Sequence, residues 1–272
     1  TQRKYARVLT LWRTFTSLYH LRDTPTASSL VLFLAYLDRR DYRSLPQALS
    51  ALRAHFRRRC DWDSIRQSGA VKDALAGAAK ARPKDVKRAK PIAVADLKSI
   101  LGVCLRRGTY NALLCAAIVV VAFCGLLRLG EAVMPQHKED RILAHFAKRS
   151  SVSLTATSLS FHLPHQKNAS SFEGGEVVIT GALAPSDLPV LPVLDVFRAF
   201  LRARDAHVPK SGVLFAKKDG SLISRSTVTK LLKAAGSFTG HSLRSGGATW
   251  LAEQGVDFDT IRRCGRWRSS AF

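Results

Sequence analysis

His241 and Arg244 stand three residues apart at the head of a stretch that could hold a phosphate. A small-residue run, 245–248, and the apolar pair Trp250 and Leu251 follow them. This spacing puts an imidazole and a guanidinium on one face of a helix's first turn. That turn also has unpaired backbone N–H groups and the positive end of the helix dipole. An arginine presents a planar fork to phosphate oxygens, and a histidine can move a proton near neutral pH. His-x-x-Arg alone is common, so the rest of the chain must supply the other parts of such a site. Arg128 follows an uncharged run over residues 111–127. A charge there needs a partner, and Glu131, three residues on, can hold it by a charged hydrogen bond. A purely structural buried Arg–Glu pair is the alternative. Lys167 stands in a turn-rich loop, residues 164–175, where an ordinary solvated lysine is the alternative. Gly265, Arg266 and Trp267 come late in the chain.

Stepwise apolar positions predict the elements that position these residues. Val94, Leu97, Ile100, Leu101 and Cys104 mark a helix over 93–107, and the uncharged run gives a core helix over 111–124. Residues 152–163 alternate and 176–179 form a second strand, so a small antiparallel sheet projects Lys167 from its connecting loop. A helix over 191–206 tolerates Pro192 in its first turn. Ser224 or Ser226 caps a helix over 226–235, and a helix near 257–264 ends at Gly265 in a left-handed cap. Upstream, Tyr5, Val8, Leu9, Trp12, Phe15 and Tyr19 form the apolar face of a helix over 3–21. Ser28 or Ser29 caps a second helix. Ser44 caps a third with Pro46 in its first turn, and a weaker fourth covers 64–80. The fold class is mainly α with a small antiparallel β-sheet. An all-α domain over 1–81 and a basic linker over 82–92 precede an α+β domain over 93–272.

The chain carries 43 basic and 20 acidic residues, a net charge of +23. Such a field favours a polyanion, with nucleic acid ahead of an anionic membrane surface. Membrane binding concentrates basic residues on one amphipathic helix or terminal block, whereas here both halves of the chain carry the excess. A long duplex touching both halves fits that spread. The third helix, entered through Arg43 and Ser44 and carrying Gln47, has the form of an element presented to a DNA groove. Arg3, Lys4 and Arg53 are further candidate contacts, and a solvated basic face is the equal alternative for any one of them. Lys84, Lys87, Arg88 and Lys90 lie in the linker, which could cross a phosphate backbone. Five cysteines without CxxC spacing argue for a reducing compartment and against a disulfide framework or zinc site. No metal and no cofactor is expected. The chain opens without a charged-then-apolar leader, so secretion is not expected.

Taken in order, Arg128 with Glu131, Lys167 on a hairpin loop, His241 with Arg244, and Trp267 after Gly265 and Arg266 resemble the catalytic set of the tyrosine recombinases. This is the phage-integrase superfamily of DNA breaking and rejoining enzymes. The wording of residues 240–267 is similar to that of Crypton-type eukaryotic transposon recombinases. The resemblance covers the chain, because a helical core-binding domain and a basic linker precede the family's catalytic domain. It implies that Arg128 and Arg244 grip the non-bridging oxygens of the scissile phosphate and that His241 assists proton movement. It also implies that Trp267 packs and hydrogen-bonds at the phosphate and that Lys167 protonates the leaving 5′ oxygen. Fixed guanidiniums suit charge that builds on equatorial oxygens, and a poor alkoxide leaving group needs a placed acid.

The implied nucleophile is a tyrosine a short way past Trp267. Tyr5, Tyr19, Tyr36, Tyr42 and Tyr110 all precede the strand pair and none matches, so the chain is expected to be a fragment that ends short of it. The implied partners are double-stranded DNA with inverted half-sites and further copies of the chain, a dimer on one site and a tetramer in synapsis. The expected location is the nucleus for a eukaryotic source, otherwise the cytoplasm or nucleoid. A non-catalytic DNA-binding protein derived from such an enzyme is the second reading. A type IB topoisomerase, which shares the chemistry, is the third.

Overall fold

The structure is a computed structural model that describes residues 2–42, 44–81, 89–135, 141–165, 174–180 and 193–267. The chain divides into two compact units, Thr1–Lys87 and Arg88–Phe272.

The first unit is helical: α1 (Gln2–Leu18), α2 (Ala27–Arg39), α3 (Leu45–Phe56), α4 (Trp62–Gln67) and α5 (Gly69–Ala81). Where the sequence suggests one weak helix over 64–80 there are two, because Ser68 adopts an extended backbone (ψ 143°) between them. Val8, Trp12 and Phe15 of α1 are buried with Phe33, Leu34 and Phe56, and Trp12 meets Phe33 edge-on at 5.0 Å. Tyr19 falls outside α1 and is exposed. Helix α2 is capped by Thr26 rather than Ser28 or Ser29. Thr26 Oγ1 accepts the Ser29 N–H at 3.2 Å while Ser29 Oγ accepts the Thr26 N–H at 2.8 Å, a reciprocal box that satisfies two first-turn donors. Ser44 occupies the cap position of α3 without a side-chain cap bond, so Pro46, with no N–H to satisfy, is what suits that first turn.

The second unit is built around α7 (Tyr110–Cys124), in which every residue from Leu114 to Phe123 is buried. A helix that is apolar all round belongs inside a core, and none of the described helices is long and apolar enough to cross a membrane. Around α7 pack α6 (Val94–Arg107), α8 (Val193–Asp205) and α10 (Gly240–Glu253); α9 (Arg225–Gly236) packs on α6 and α11 (Phe258–Cys264) on α10. Strands β1 (Ser153–Leu154), β2 (Ser158–Leu163) and β3 (Gly175–Thr180) form an antiparallel sheet in sequence order, with Phe161 opposite Val177. The mainly α fold with a small antiparallel sheet is therefore the observed one.

The small-residue run of α10 has a packing cause. A Cβ on Gly247 would overlap the Phe123 carbonyl, and one on Gly246 would overlap the carbonyl of Ile92. Only glycine lets α10 lie this close to the end of α7. Ile92 falls in the stretch read as linker, yet it is buried in the second unit's core, and its N–H donates to the Ser242 carbonyl at 3.1 Å. Ser224 caps α9 by accepting the Thr227 N–H, as one of the two expected serines. Burial pushes the Cys115 thiol up to about 12, which makes it a packing group. Arg204 is fully buried and donates to the carbonyls of Val208, Pro209, Val213 and Leu214, fixing the loop that follows α8. This arginine does structural work that its sequence context does not announce.

Candidate active site

The site begins where α7 ends. Leu126 takes a left-handed backbone (φ 49°), which costs a non-glycine residue about 1–3 kcal/mol. Its side chain is buried with Leu251 of α10 and Ile261 of α11, a gain of about 1.5–3 kcal/mol. Its carbonyl accepts from two guanidiniums, Arg244 Nη1 and Arg266 Nη2, and hydrogen bonds from charged groups contribute about 1.5–3 kcal/mol each. Burial and the charged bonds together outweigh the backbone cost. The carbonyl of this turn thus becomes an anchor for arginines.

Arg128 follows directly. Its Nη1 donates to Glu131 Oε1 at 3.1 Å, and its backbone N–H donates to Glu131 Oε2 at 2.9 Å, closing a 3-10 turn over Leu129–Glu131. The Arg128 side chain is 25% exposed, so it is held yet still reachable by a ligand. The second oxygen of Glu131 also receives Arg266 Nη2 at 3.1 Å.

Arg244 comes from the opposite direction. Thr239 caps α10, its Oγ1 accepting the N–H groups of His241 and Ser242, and Arg244 lies one turn in, only 4% exposed. Its two terminal nitrogens donate to the carbonyls of Leu126 and Gly265, which ties the exit of α7 to the exit of α11. Of the five N–H groups of a guanidinium those two bonds use two. Its guanidinium carbon lies 4.1 Å from the centre of the Trp267 ring, a cation–π stack.

The turn that carries Trp267 differs from the expected left-handed glycine cap. Gly265 is right-handed (φ −76°), and Arg266 takes the left-handed conformation (φ 56°). Glycine is needed at 265 for space, because a Cβ there would overlap the Trp267 ring. Gly265→Ala should therefore displace the ring from Arg244 and lower stability by about 1–3 kcal/mol in urea denaturation. Unchanged stability together with unchanged duplex affinity would contradict this placement of Trp267.

Electrostatically the site is short of negative charge. Burial first, then the charges of Arg128 and Arg266, push the Arg244 pKa down to about 9, with Glu131 acting in the opposite direction. Burial likewise lowers that of Arg266, against the pull of Glu131. Three guanidiniums gather around one carboxylate, an arrangement that an incoming oxyanion would relieve.

Of the residues singled out from sequence, the structure brings Arg128, Glu131, Arg244 and Trp267 together. His241 is exposed on the first turn of α10, three residues before Arg244. Lys167, Arg43, Lys84, Lys87 and Arg88 lie outside the described residues, as does the side chain of Arg3. Lys4 and Lys90 are exposed, Ser44 and Gln47 are half-buried, and Arg53 is exposed and paired with Asp63 at 3.3 Å. Sequence reasoning missed Leu126 and Arg266.

Residues 188–272 match the phage integrase family model. No curated protein sequence matches the chain significantly. Among solved structures, the Tn1549 transposon integrase in complex with transposon right end DNA superposes with a TM-score of 0.56 at 15% identity, covering 90% of this chain and 78% of that one. A lambda integrase dimer bound to a COC′ core site gives 0.53 at 16%, covering 98% and 88%. The XerH site-specific recombinase bound to palindromic difH substrate gives 0.55 at 12%, covering 95% and 70%. Residues 188–272 are thus similar to the phage integrase family, and the chain shares the fold of these integrases and recombinases.

Proposed function

We propose that this chain binds duplex DNA and organises a backbone phosphate for site-specific strand cleavage and rejoining. The observation that carries the reading is the convergence of Arg128 and Arg244, 116 positions apart in sequence, on one Glu131–Leu126 frame with a surplus of positive charge. In the proposed reaction a tyrosine oxygen attacks phosphorus, the bond from phosphorus to the 5′ oxygen breaks, and a 3′-phosphotyrosyl link preserves the bond for rejoining. Arg128 and Arg244 hold the non-bridging oxygens as charge builds there. Lys167 delivers the proton to the departing 5′ oxygen, His241 assists proton movement, and Trp267 supports Arg244. None of these steps calls for a metal or a cofactor.

The resemblance implies a tyrosine nucleophile, and none of the five tyrosines of this sequence matches its place in the order of motifs. Tyr5, Tyr19, Tyr36 and Tyr42 belong to the first unit, and the Tyr110 hydroxyl donates to the Ala216 carbonyl at 2.7 Å. The second reading is a DNA-binding protein of recombinase descent that keeps the grip without cleaving. Residues 1–81 would clamp the duplex through Lys4, Ser44, Gln47 and Arg53, with Arg3 and Arg43, and the basic residues of 82–92 would cross its backbone. Related structures include a lambda integrase tetramer bound to a Holliday junction, which supports a dimer on paired half-sites and a tetramer in synapsis. A transposon origin is supported by the likeness to the Tn1549 transposon integrase, and a nuclear location follows if the source is eukaryotic.

The test incubates the full-length protein with a pool of randomised duplexes, each nicked so that cleavage is trapped, and looks for an SDS-resistant adduct. An adduct through a 3′-phosphotyrosine supports recombination. Duplex binding with no adduct on any pool member supports the second reading, and absence of duplex binding overturns both.

A further inference from the structure

Arg266 is one of several arginines near the end of the chain, and its surroundings set it apart. Arg262 pairs with Asp259 at 3.2 Å and Arg263 with Thr260 at 3.2 Å, local surface contacts within α11. Arg266 instead turns inward through a left-handed backbone, and its side chain is only 8% exposed. Its Nη2 donates to Glu131 Oε2 at 3.1 Å and to the Leu126 carbonyl at 3.3 Å. Its Nη1 donates to the Cys264 carbonyl at 3.1 Å and reaches that of Gly125 at 3.4 Å. Its Nε is buried without a hydrogen-bond partner among the described residues. A buried N–H left unpaired is costly, so the contacts at the two Nη atoms must hold the fork where it is.

Those contacts reach both halves of the phosphate grip. Glu131 holds Arg128 through Oε1 and Arg266 through Oε2, so the carboxylate is clamped from two sides. The Leu126 carbonyl holds Arg244 and Arg266 together. The backbone of Arg266 lies between Gly265, whose carbonyl receives Arg244, and Trp267, whose ring stacks on it.

We propose that Arg266 is a positioning residue that sets Arg128 and Arg244 relative to each other for binding one tetrahedral oxyanion. The inference rests on the reading of this site as a phosphate grip. Arg266 acts through Glu131 and the Leu126 carbonyl, and a planar fork is what lets one side chain meet a carboxylate and two carbonyl-bearing turns at once. Lysine keeps the charge but offers a single point, so it cannot span the same acceptors.

The test measures binding of inorganic sulfate to the full chain by calorimetry at constant ionic strength, with duplex binding recorded in parallel. The site's share of the sulfate signal is the part absent from Arg128→Ala. Arg266→Lys and Arg266→Ala should both weaken that share by about tenfold or more, the size of one misplaced charged hydrogen bond. Guanidinium ion at a sub-denaturing concentration should restore Arg266→Ala, because it refills the fork, and should leave Arg266→Lys weak. A merely structural role predicts lower thermal stability with unchanged sulfate affinity in the folded protein, and that result would overturn the proposal. Should Arg266→Ala fail to fold, Arg266→Lys decides on the same criterion. If the wild-type chain binds neither sulfate at this site nor duplex, the phosphate-grip reading fails and takes this inference with it. Wild-type binding that the Arg266 variants leave untouched overturns the inference alone.

Discussion

Arg244→Ala is expected to reduce trapped cleavage of nicked duplex by about 10³-fold while lowering stability far less. Loss of one fixed donor to a developing oxyanion typically costs about 10²–10³-fold, and Arg244 is a charged donor that also supports the ring of Trp267. Stability responds to two opposed effects. The carbonyls of Leu126 and Gly265 lose their donor, at about 1–3 kcal/mol for a buried group left unpaired. Against this, the charged guanidinium is disfavoured in the free protein by burial and by Arg128 and Arg266, which is why its pKa is pushed down to about 9. Removing it relieves that repulsion and part of the desolvation. The net change in urea denaturation should stay within about 2 kcal/mol. A large activity loss with a small stability loss marks a group whose charge is reserved for a ligand. Arg244→Lys should recover little activity, since lysine can neither bridge both carbonyls nor present a flat face to Trp267. Near-wild-type adduct formation by Arg244→Ala would contradict this account of the site.

Duplex affinity is expected to fall steeply with salt. With 43 basic against 20 acidic residues and an excess in both halves of the chain, several phosphates should be neutralised at once. Each neutralised phosphate releases condensed counterions, so a protein with about 6–10 such contacts loses roughly 10³–10⁵-fold between 50 and 200 mM salt. Fluorescence anisotropy on a random-sequence duplex reads this directly. Replacing Lys4 or Lys90, both exposed, should lower the slope by about one unit each without changing sequence preference. A flat salt response would exclude DNA as the main partner. Stronger binding to anionic vesicles than to duplex would return the membrane-surface alternative.

The main architecture was legible in the sequence because it follows from periodicity. The continuous apolar run of α7 predicts its burial, and the stripe of α1 predicts the buried Val8, Trp12 and Phe15. The grouping of Arg128, Glu131, Arg244 and Trp267 came from the order of motifs rather than from local pattern, since each residue type alone is common. What escaped was set by tertiary packing. Leu126 looks like one more apolar residue after a helix, and only its burial with Leu251 and Ile261 and the arginines on its carbonyl explain its left-handed turn. Arg266 cannot be told from Arg262 or Arg263 by composition, because burial and a positive φ distinguish it and neither is written in the local sequence. Gly265, expected to form a left-handed cap, is right-handed and instead leaves room for the ring of Trp267. Splitting the fourth helix into α4 and α5 at Ser68 is likewise a local backbone choice that the weak periodicity of 64–80 does not reveal.

The most direct test is an experimental structure of the chain bound to duplex DNA. The expected result is one backbone phosphate at the Glu131–Leu126 frame, with its non-bridging oxygens within hydrogen-bonding distance of the guanidiniums of Arg128 and Arg244 and with Trp267 against Arg244. A duplex seated elsewhere on the chain, with Arg128 and Arg244 making no phosphate contact, would contradict it.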